Sequence, residues 1–260
     1  MGRTGDAKTG ARGEAFLRRI GGYIAATVAL VLMWALVSWV LRSPALPMPA
    51  AAFKQFFAQF TAMLPHAAIS LWRIAAAMVA GTALALPLGL WIGRSKKADA
   101  FFAPLLYLLY PIPKVVFLPV LMVLLGLGDA PKIVLIGTVI FFQTLVTARD
   151  SAKSISPASI MSVRSLGARP LQIAADVVVP ASLPDVFTSL RINTGTAIAI
   201  LFLAESIAGT SGLGYYIVNA WGMIDYPSMF AGIIAMALMG VVLYELINLL
   251  ESRLTRWKKA

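Results

Sequence analysis

Residues 67–93 read AAISLWRIAAAMVAGTALALPLGLWIG, and a basic cluster, Arg94-Ser-Lys96-Lys97, closes them. A helix that crosses the bilayer needs about 20 apolar residues to cover about 30 Å of hydrocarbon. This run meets that length with one charge, Arg73, inside it. The rest of the chain has the same character. Of 260 residues, 60% are hydrophobic and only 13% are charged, and the mean hydropathy is +0.84. Soluble domains carry about twice that share of charge and must keep a wetted exterior. A soluble globular fold is therefore excluded, and so much apolar surface also excludes intrinsic disorder. The composition is that of a polytopic, all-α membrane protein.

Working outward from the 67–93 run gives six spans. Upstream, Ile20 to Leu41 holds no charge. Its flank, Arg18-Arg19, resembles that of a signal peptide, but the run is longer than a signal's apolar core and follows a 19-residue tail. It is expected to be a retained first span. Between these two spans, Ser43 to Pro65 contains Pro44, Pro47, Pro49 and Pro65, with Phe53, Phe56, Phe57 and Phe60 at helical spacing. Lys54, Gln55 and Gln59 fall opposite. This is a short helix that either lies in the membrane interface or packs its aromatics on the bundle. Downstream, the third span runs from about Ala100 to Leu127 and is broken by Pro104, Pro111, Pro113 and Pro119. Such breaks are tolerated where neighbouring protein satisfies the freed carbonyls. The fourth covers about Lys132 to Ala148, the fifth about Leu190 to Ala208, and the sixth about Ser228 to Leu250. Gly209, Gly212, Gly214 and Gly222 mark a glycine-rich loop between the last two.

The net charge of +11 is not a nucleic-acid footprint, because the cations fall between apolar runs rather than on one soluble face. They sort by topology instead. Arg3, Lys8, Arg12, Arg18 and Arg19 precede the first span, and Arg94, Lys96 and Lys97 follow the second. Arg149, Lys153, Arg164, Arg169 and Arg191 lie between the fourth and fifth, and Arg253, Arg256, Lys258 and Lys259 follow the sixth. Arg42, Lys54 and Lys132 are left for the other side, and Arg73 and Lys114 lie within spans. The positive-inside rule then makes both termini cytoplasmic. The organisation expected is a cytoplasmic tail over 1–19, a membrane domain over 20–252 with a cytoplasmic loop at about 149–187, and a cytoplasmic tail over 253–260.

There is no cysteine, so disulfides and thiol chemistry are excluded. A single histidine, His66, cannot build a multi-histidine metal site.

The loop between spans four and five is the most structured polar segment. Ser156-Pro157 reads as a helix start, with serine as cap and proline in the first turn. A short helix is expected over Ala158 to Leu166, a left-handed turn at Gly167, and a second helix from about Pro170 to Val178 that stops before Pro180. Two short helices at an angle form a rigid knob that can carry force into the spans.

Ser162-Val-Arg-Ser-Leu-Gly-Ala168, followed by Val178-Val-Pro180 and Leu183-Pro184, resembles the "EAA" loop of ABC importer permeases. That pattern has Glu-Ala-Ala, three residues, Gly, and about nine residues before an Ile-x-Leu-Pro element. Gly167 takes the place of the glycine and Pro180 that of the proline. Met161, Ser162 and Val163 stand where Glu-Ala-Ala is usual, which removes a carboxylate that often meets the ATPase. Leu46-Pro47, Pro111-Ile-Pro113, Phe117-Leu-Pro119, Gly126-Leu-Gly128, Pro131-Lys132-Ile133, Leu190-Arg191-Ile192, Ala204-Glu205 and Ser211-Gly-Leu-Gly214 extend the likeness from Leu46 onward. They are similar to the taurine, aliphatic-sulfonate, nitrate and bicarbonate permease group.

The resemblance implies a type I ABC importer permease fold in a bacterial inner membrane. It implies a cytoplasmic ABC ATPase dimer, a second permease copy and an extracytoplasmic substrate-binding protein. ATP and Mg would bind the ATPase, and this chain would hold no cofactor. Met161, Ser162, Arg164, Ser165, Leu166, Gly167 and Ala168 would meet the ATPase as a coupling helix. The cargo would be a small anion of sulfonate, taurine, nitrate or bicarbonate type, or else a vitamin precursor or aromatic acid.

Charges at membrane depth normally face protein or water and have partners. Arg73 and Glu205 fall at the same depth with opposite sign, so they pair, or each snorkels separately to the interface. Lys114 follows the Pro111-Ile-Pro113 break and either faces an aqueous pathway or pairs with Glu205 or a carbonyl. Ser211, in the Gly209–Gly214 segment with Thr210, belongs to a re-entrant gate, a docking surface or a plain loop. Gly89-Leu-Trp-Ile-Gly93 is a small-xxx-small pattern that allows close helix approach, though it is frequent by chance in such chains.

No GxxxxGK[ST] phosphate loop occurs, so energy must come from a separate chain. HExxH and GxSxG are also absent, which argues against a membrane-embedded enzyme. A non-transporting scaffold would not need the prolines and charges at membrane depth.

Overall fold

The computed structural model describes the backbone of residues 4–259 and the side chains of 21, 22, 25–207 and 209–257. The side chains of Arg3, Lys8, Arg12, Arg18, Arg19, Lys258 and Lys259, used in the charge count, lie outside the described residues. The described elements are helices: α1 (Thr4–Leu41), α2 (Pro49–Ala58), α3 (Phe60–Arg94), α4 (Lys96–Leu109), α5 (Leu118–Leu125), α6 (Ala130–Ser154), α7 (Pro157–Ser165), α8 (Pro170–Ile173), α9 (Val179–Ala208), α10 (Leu213–Gly222) and α11 (Tyr226–Leu254).

Among the described residues, four helical stretches are long and apolar enough to cross a membrane: α3, α6, Pro170–Ile207 and α11. Lys96–Leu109 with Lys114–Leu125 makes a fifth, bent by 79°. Ala25–Leu41 is a shorter apolar helix.

α3 and α6 form the centre of the bundle. They run parallel, with Gly81 of α3 over Gly137, Gly89 over Leu145 and Gly93 over Arg149. A Cβ at Gly81 would lie 2.7 Å from the Gly137 carbonyl oxygen, and one at Gly89 would lie 2.7 Å from that of Leu145. The absence of side chains at these turns is therefore what lets the backbones meet. The small-xxx-small pattern at Gly89 and Gly93 is real packing here. Ile74, Ala77, Ile136, Ile140, Leu201 and Leu213 fill the space between α3, α6, α9 and α10, fully buried.

α2 begins with Pro49 in its first turn, where the missing N–H costs nothing. Phe56 is buried while Phe57 and Phe60 are exposed. Gln55 and Gln59 do not face outward as expected. Their Nε2 atoms donate to Ser228 Oγ at 3.0 and 3.1 Å, and Tyr216 bonds Gln59 Oε1. The helix is thus tied to α10 and α11. Trp34 Nε1 donates to the Pro47 carbonyl at 3.1 Å and stacks on Phe230 with ring centroids 5.2 Å apart, which fixes the end of α1.

Three expectations need correction. The helix of the fourth span does not end at Ala148, where the polar stretch begins. α6 continues to Ser154, because Arg149 is buried and paired with Asp99 at 2.5 Å and Asp150 at 2.9 Å, while Lys153 reaches Asp99 at 2.7 Å. Pro180 does not separate the second loop helix from the fifth span. A π turn at Ala174–Val178 joins α8 to α9, and a widened turn absorbs the N–H that proline lacks and the clash of its ring. The glycine-rich segment after Gly212 is not a loop but helix α10. Lys132, counted in the sequence with the cations of the other side, is buried, as described below.

Candidate functional site

His66, Ser70 and Arg73 are spaced i, i+4 and i+7 on α3, so one face of that helix carries all three. At the end of the bundle away from α7 and α8, this face meets the start of α6, the end of α9 and the segment before α10. Arg73 is 2% exposed and Glu205 is 0% exposed. Arg73 Nη1 donates to Glu205 Oε1 at 2.7 Å and to the Ser211 carbonyl oxygen at 2.9 Å. Its Nη2 donates to Asp129 Oδ1 at 2.6 Å and to Ser211 Oγ at 2.9 Å, and its Nε donates to Asp129 Oδ1 at 2.8 Å. The planar fork of five N–H groups suits such multiple bonding, which a lysine could not reproduce.

Glu205 carries a second task. Ser70 Oγ lies 2.8 Å from its Oε1, and Gly214 N–H donates to its Oε2 at 2.8 Å. Leu213 N–H donates to Ser70 Oγ at 2.8 Å, and Gly212 N–H donates to His66 Nδ1 at 3.1 Å. The first amides of α10, which have no partner within their own helix, are thus satisfied from α3 and α9. The carboxylate also sits at the positive end of the α10 dipole. Gly212, at φ +105°, allows this closeness, because a Cβ there would run into the Glu205 carboxylate. Lys132 is 3% exposed, and its Nζ lies 3.3 Å from the Gly128 carbonyl oxygen. Two cations, Arg73 and Lys132, thus face two carboxylates, the buried Glu205 and Asp129, whose side chain is 39% exposed.

Of the residues singled out in the sequence, Arg73, Glu205 and Ser211 therefore come together. Lys114 does not join them. Its Nζ donates to the carbonyls of Leu109 and Tyr110 at 2.8 and 2.6 Å and lies 4.9 Å from the centre of the Phe142 ring. It thus closes the C-terminus of α4, where the chain bends. Asp129, Lys132, Ser70 and the acceptor role of His66 were missed. Asp129 and Lys132 flank the turn Gly128-Asp-Ala-Pro131 and read as loop polarity. The i, i+4, i+7 spacing of His66, Ser70 and Arg73 was the signal that could have found two of them.

At the other end, α7 and α8 make a projecting corner. Ser156 Oγ accepts from Ser159 N–H at 3.1 Å, and Gly167 adopts φ +83°, as its turn requires. Ser162 and Ser165 donate to the carbonyls of Ala158 and Met161 on their own helix. Met161, Arg164 and Ala168 share this corner, with Met161 and Arg164 exposed and Ala168 half-buried. Leu166 is 87% exposed and Leu171 84% exposed. The two leucines make an apolar tip at the corner, with Arg164 and Arg169 near them in the chain. Among the described residues, no group of three or more His, Cys, Asp or Glu is placed to hold a metal.

Residues 85–256 match the family described as binding-protein-dependent transport system inner membrane component. The chain is 32% identical over 239 residues to the taurine transport system permease protein TauC of Escherichia coli (strain K12), covering 88% of this chain and 86% of that one. It is 29% identical over 195 residues to SsuC of Bacillus subtilis (strain 168), named for aliphatic sulfonates transport, covering 75% of this chain and 71% of that one. Among solved structures, an inward facing conformation of the MetNI methionine ABC transporter shares the fold. It has a TM-score of 0.59 at 22% identity, over 75% of this chain and 94% of that one.

Proposed function

We propose a function from one premise: the chain belongs to the family of binding-protein-dependent transport system inner membrane components and is an ABC importer permease subunit. In our reading it crosses the inner membrane six times, with α1 as the first span and the bent α4–α5 pair as the third. Both termini and the α7–α8 corner are cytoplasmic, consistent with the positive-inside rule. A separate ATPase dimer, which binds ATP and Mg, docks on that corner through Met161, Ser162, Arg164, Ser165, Leu166, Gly167 and Ala168. A second copy completes the pathway, and an extracytoplasmic binding protein delivers the cargo. The cargo is a small anionic solute, and the names of the relatives favour a taurine-type or other sulfonate.

One observation carries this reading. The chain is helical from Pro170 at the corner to Ala208, through α8, the π turn and α9. One end of this rod is the exposed apolar tip, and near the other Glu205 holds Arg73 and the first turn of α10. A push on the corner is therefore delivered to the network that fixes α10, and closing of the ATPase dimer can open or shut the outer mouth. Packed elements with two discrete arrangements transmit force in this way.

The reading is tested by gentle extraction of the tagged chain from its native membrane. An ABC ATPase chain that co-purifies, and whose hydrolysis rises when loaded binding protein is added, is the expected result. A chain that purifies alone from membranes containing the ATPase would overturn it.

A further inference from the structure

Residues 211–214, which lead into α10, are each anchored to α3 or α9. Arg73 donates to both oxygens of Ser211, and His66 Nδ1 accepts from Gly212 N–H at 3.1 Å. Ser70 Oγ accepts from Leu213 N–H, and Glu205 Oε2 accepts from Gly214 N–H. These anchors differ in chemistry. A guanidinium keeps its charge and a serine hydroxyl does not titrate. Histidine is the side chain whose ordinary charge change falls between about pH 5 and 8.

His66 Nδ1 can accept only while it carries no proton, because both ring nitrogens of an imidazolium are donors. Protonation therefore turns the bond to Gly212 into a meeting of two N–H groups. Gly212 is buried. Its N–H, displaced from Nδ1, is left unpaired, which costs more than an average hydrogen bond contributes. His66 itself is only half-buried, so a proton from water can reach the ring.

The surroundings do not offset this cost. Tyr215 and Tyr216 of α10 face the imidazole, with ring centroids 5.9 and 5.8 Å away. Among the described residues His66 forms no ion pair. Asp129, before α6, and Glu205 of α9 are already bound to Arg73 of α3. Lys132 of α6 bonds to the Gly128 carbonyl, Asp225 caps α11 through Ser228, and Lys54 of α2 is exposed. A proton on His66 thus adds a third cation to carboxylates that have partners.

We propose that His66 is a proton-operated latch: neutral, it holds the head of α10, and protonated, it lets residues 211–214 loosen. The latch rests on the permease reading above for its side, the outer face, where acid makes the outer mouth easier to open.

The test uses the full transporter in nanodiscs. Hydrogen exchange of peptides covering 209–216, corrected for the intrinsic amide rate, is compared at about pH 8 and pH 5, the two sides of the histidine window. In the wild type, protection falls about ten-fold in acid, the effect of one hydrogen bond. His66→Asn sets a non-titrating oxygen close to the place of Nδ1 and stays protected at both pH values. His66→Ala has no acceptor and is unprotected at both. Size-exclusion chromatography verifies that each variant complex is assembled. A wild type with equal protection at both pH values overturns the latch, as does the same fall in His66→Asn, and either leaves the permease reading standing.

The side is read in proteoliposomes with ATP trapped on the ATPase side. Acidifying the opposite side alone shifts basal ATP hydrolysis upward in the wild type and not in His66→Asn. A shift that follows the pH of the ATPase side, or no shift, overturns the action on the outer mouth.

Discussion

Arg73 Nη1 of α3 and Glu205 Oε1 of α9 stand 2.7 Å apart, both side chains buried, at the point where the segment before α10 folds back into the bundle. Removing either leaves the other buried with only part of its partners, Asp129 and Ser211 for Arg73 and Ser70 and the Gly214 N–H for Glu205. Breaking one partner of such a pair costs about 3–5 kcal/mol. Arg73→Ala and Glu205→Ala should each lower the folded yield and the thermal midpoint in detergent. The double variant should be less destabilised than the sum by about 1–3 kcal/mol. Additive losses would mean that the pair does not act as a unit.

The α3–α6 ridge gives a second expectation. A Cβ at Gly89 would lie 2.7 Å from the Leu145 carbonyl oxygen and 2.8 Å from Ala148 Cβ. Both neighbours are helix backbone or anchored to it, so the helices must separate. Gly89→Ala should cost about 1–3 kcal/mol, as overpacking does. Gly195 on α9 has open space around it, and there Gly195→Ala should be neutral or stabilising by up to about 1 kcal/mol. Thermal unfolding of the two variants side by side checks the contrast.

The corner separates docking from folding. Gly167 lies at φ +83° with nothing near its Cβ direction. Gly167→Ala therefore meets only the backbone penalty of about 1–2 kcal/mol. Leu166→Asp, at an exposed position, should leave the thermal midpoint unchanged yet reduce co-purification of the ATPase. Loss of both together would place Leu166 in the folding core instead.

Much of this architecture was legible because apolar runs are long and charges within them are few. The runs around α3, α6 and α11 could be read directly. Arg73 and Glu205 could be matched from depth and sign alone. What escaped reading depends on contacts distant in sequence. Ser70 and His66 act as acceptors for α10 amides more than a hundred residues away. Asp129 and Lys132 look like turn polarity until α3 is laid beside α6. Pro180 looked like a stop because a proline normally ends a helix, and only the π turn before it lets α8 and α9 join. The glycines at 212 and 214 suggested a loop, whereas they serve close approach to Glu205 at the head of a helix.

Sidedness can be read with thiol chemistry, because the chain has no cysteine of its own. Met223, exposed in the α10–α11 turn, should sit on the outer face. Met223→Cys in intact cells should react with a membrane-impermeant maleimide at a rate like that of a free thiol. Protection of that site until the cells are opened would invert the topology.

The central claim, that the α7–α8 corner receives the ATPase, is tested most directly by Leu166→Cys, 87% exposed at the tip. In membranes that hold the whole transporter, a short bifunctional reagent should join this thiol to the ATPase chain, with a yield that changes when ATP is added. Labelling of the same thiol from outside intact cells, with no cross-link to the ATPase, would contradict the account.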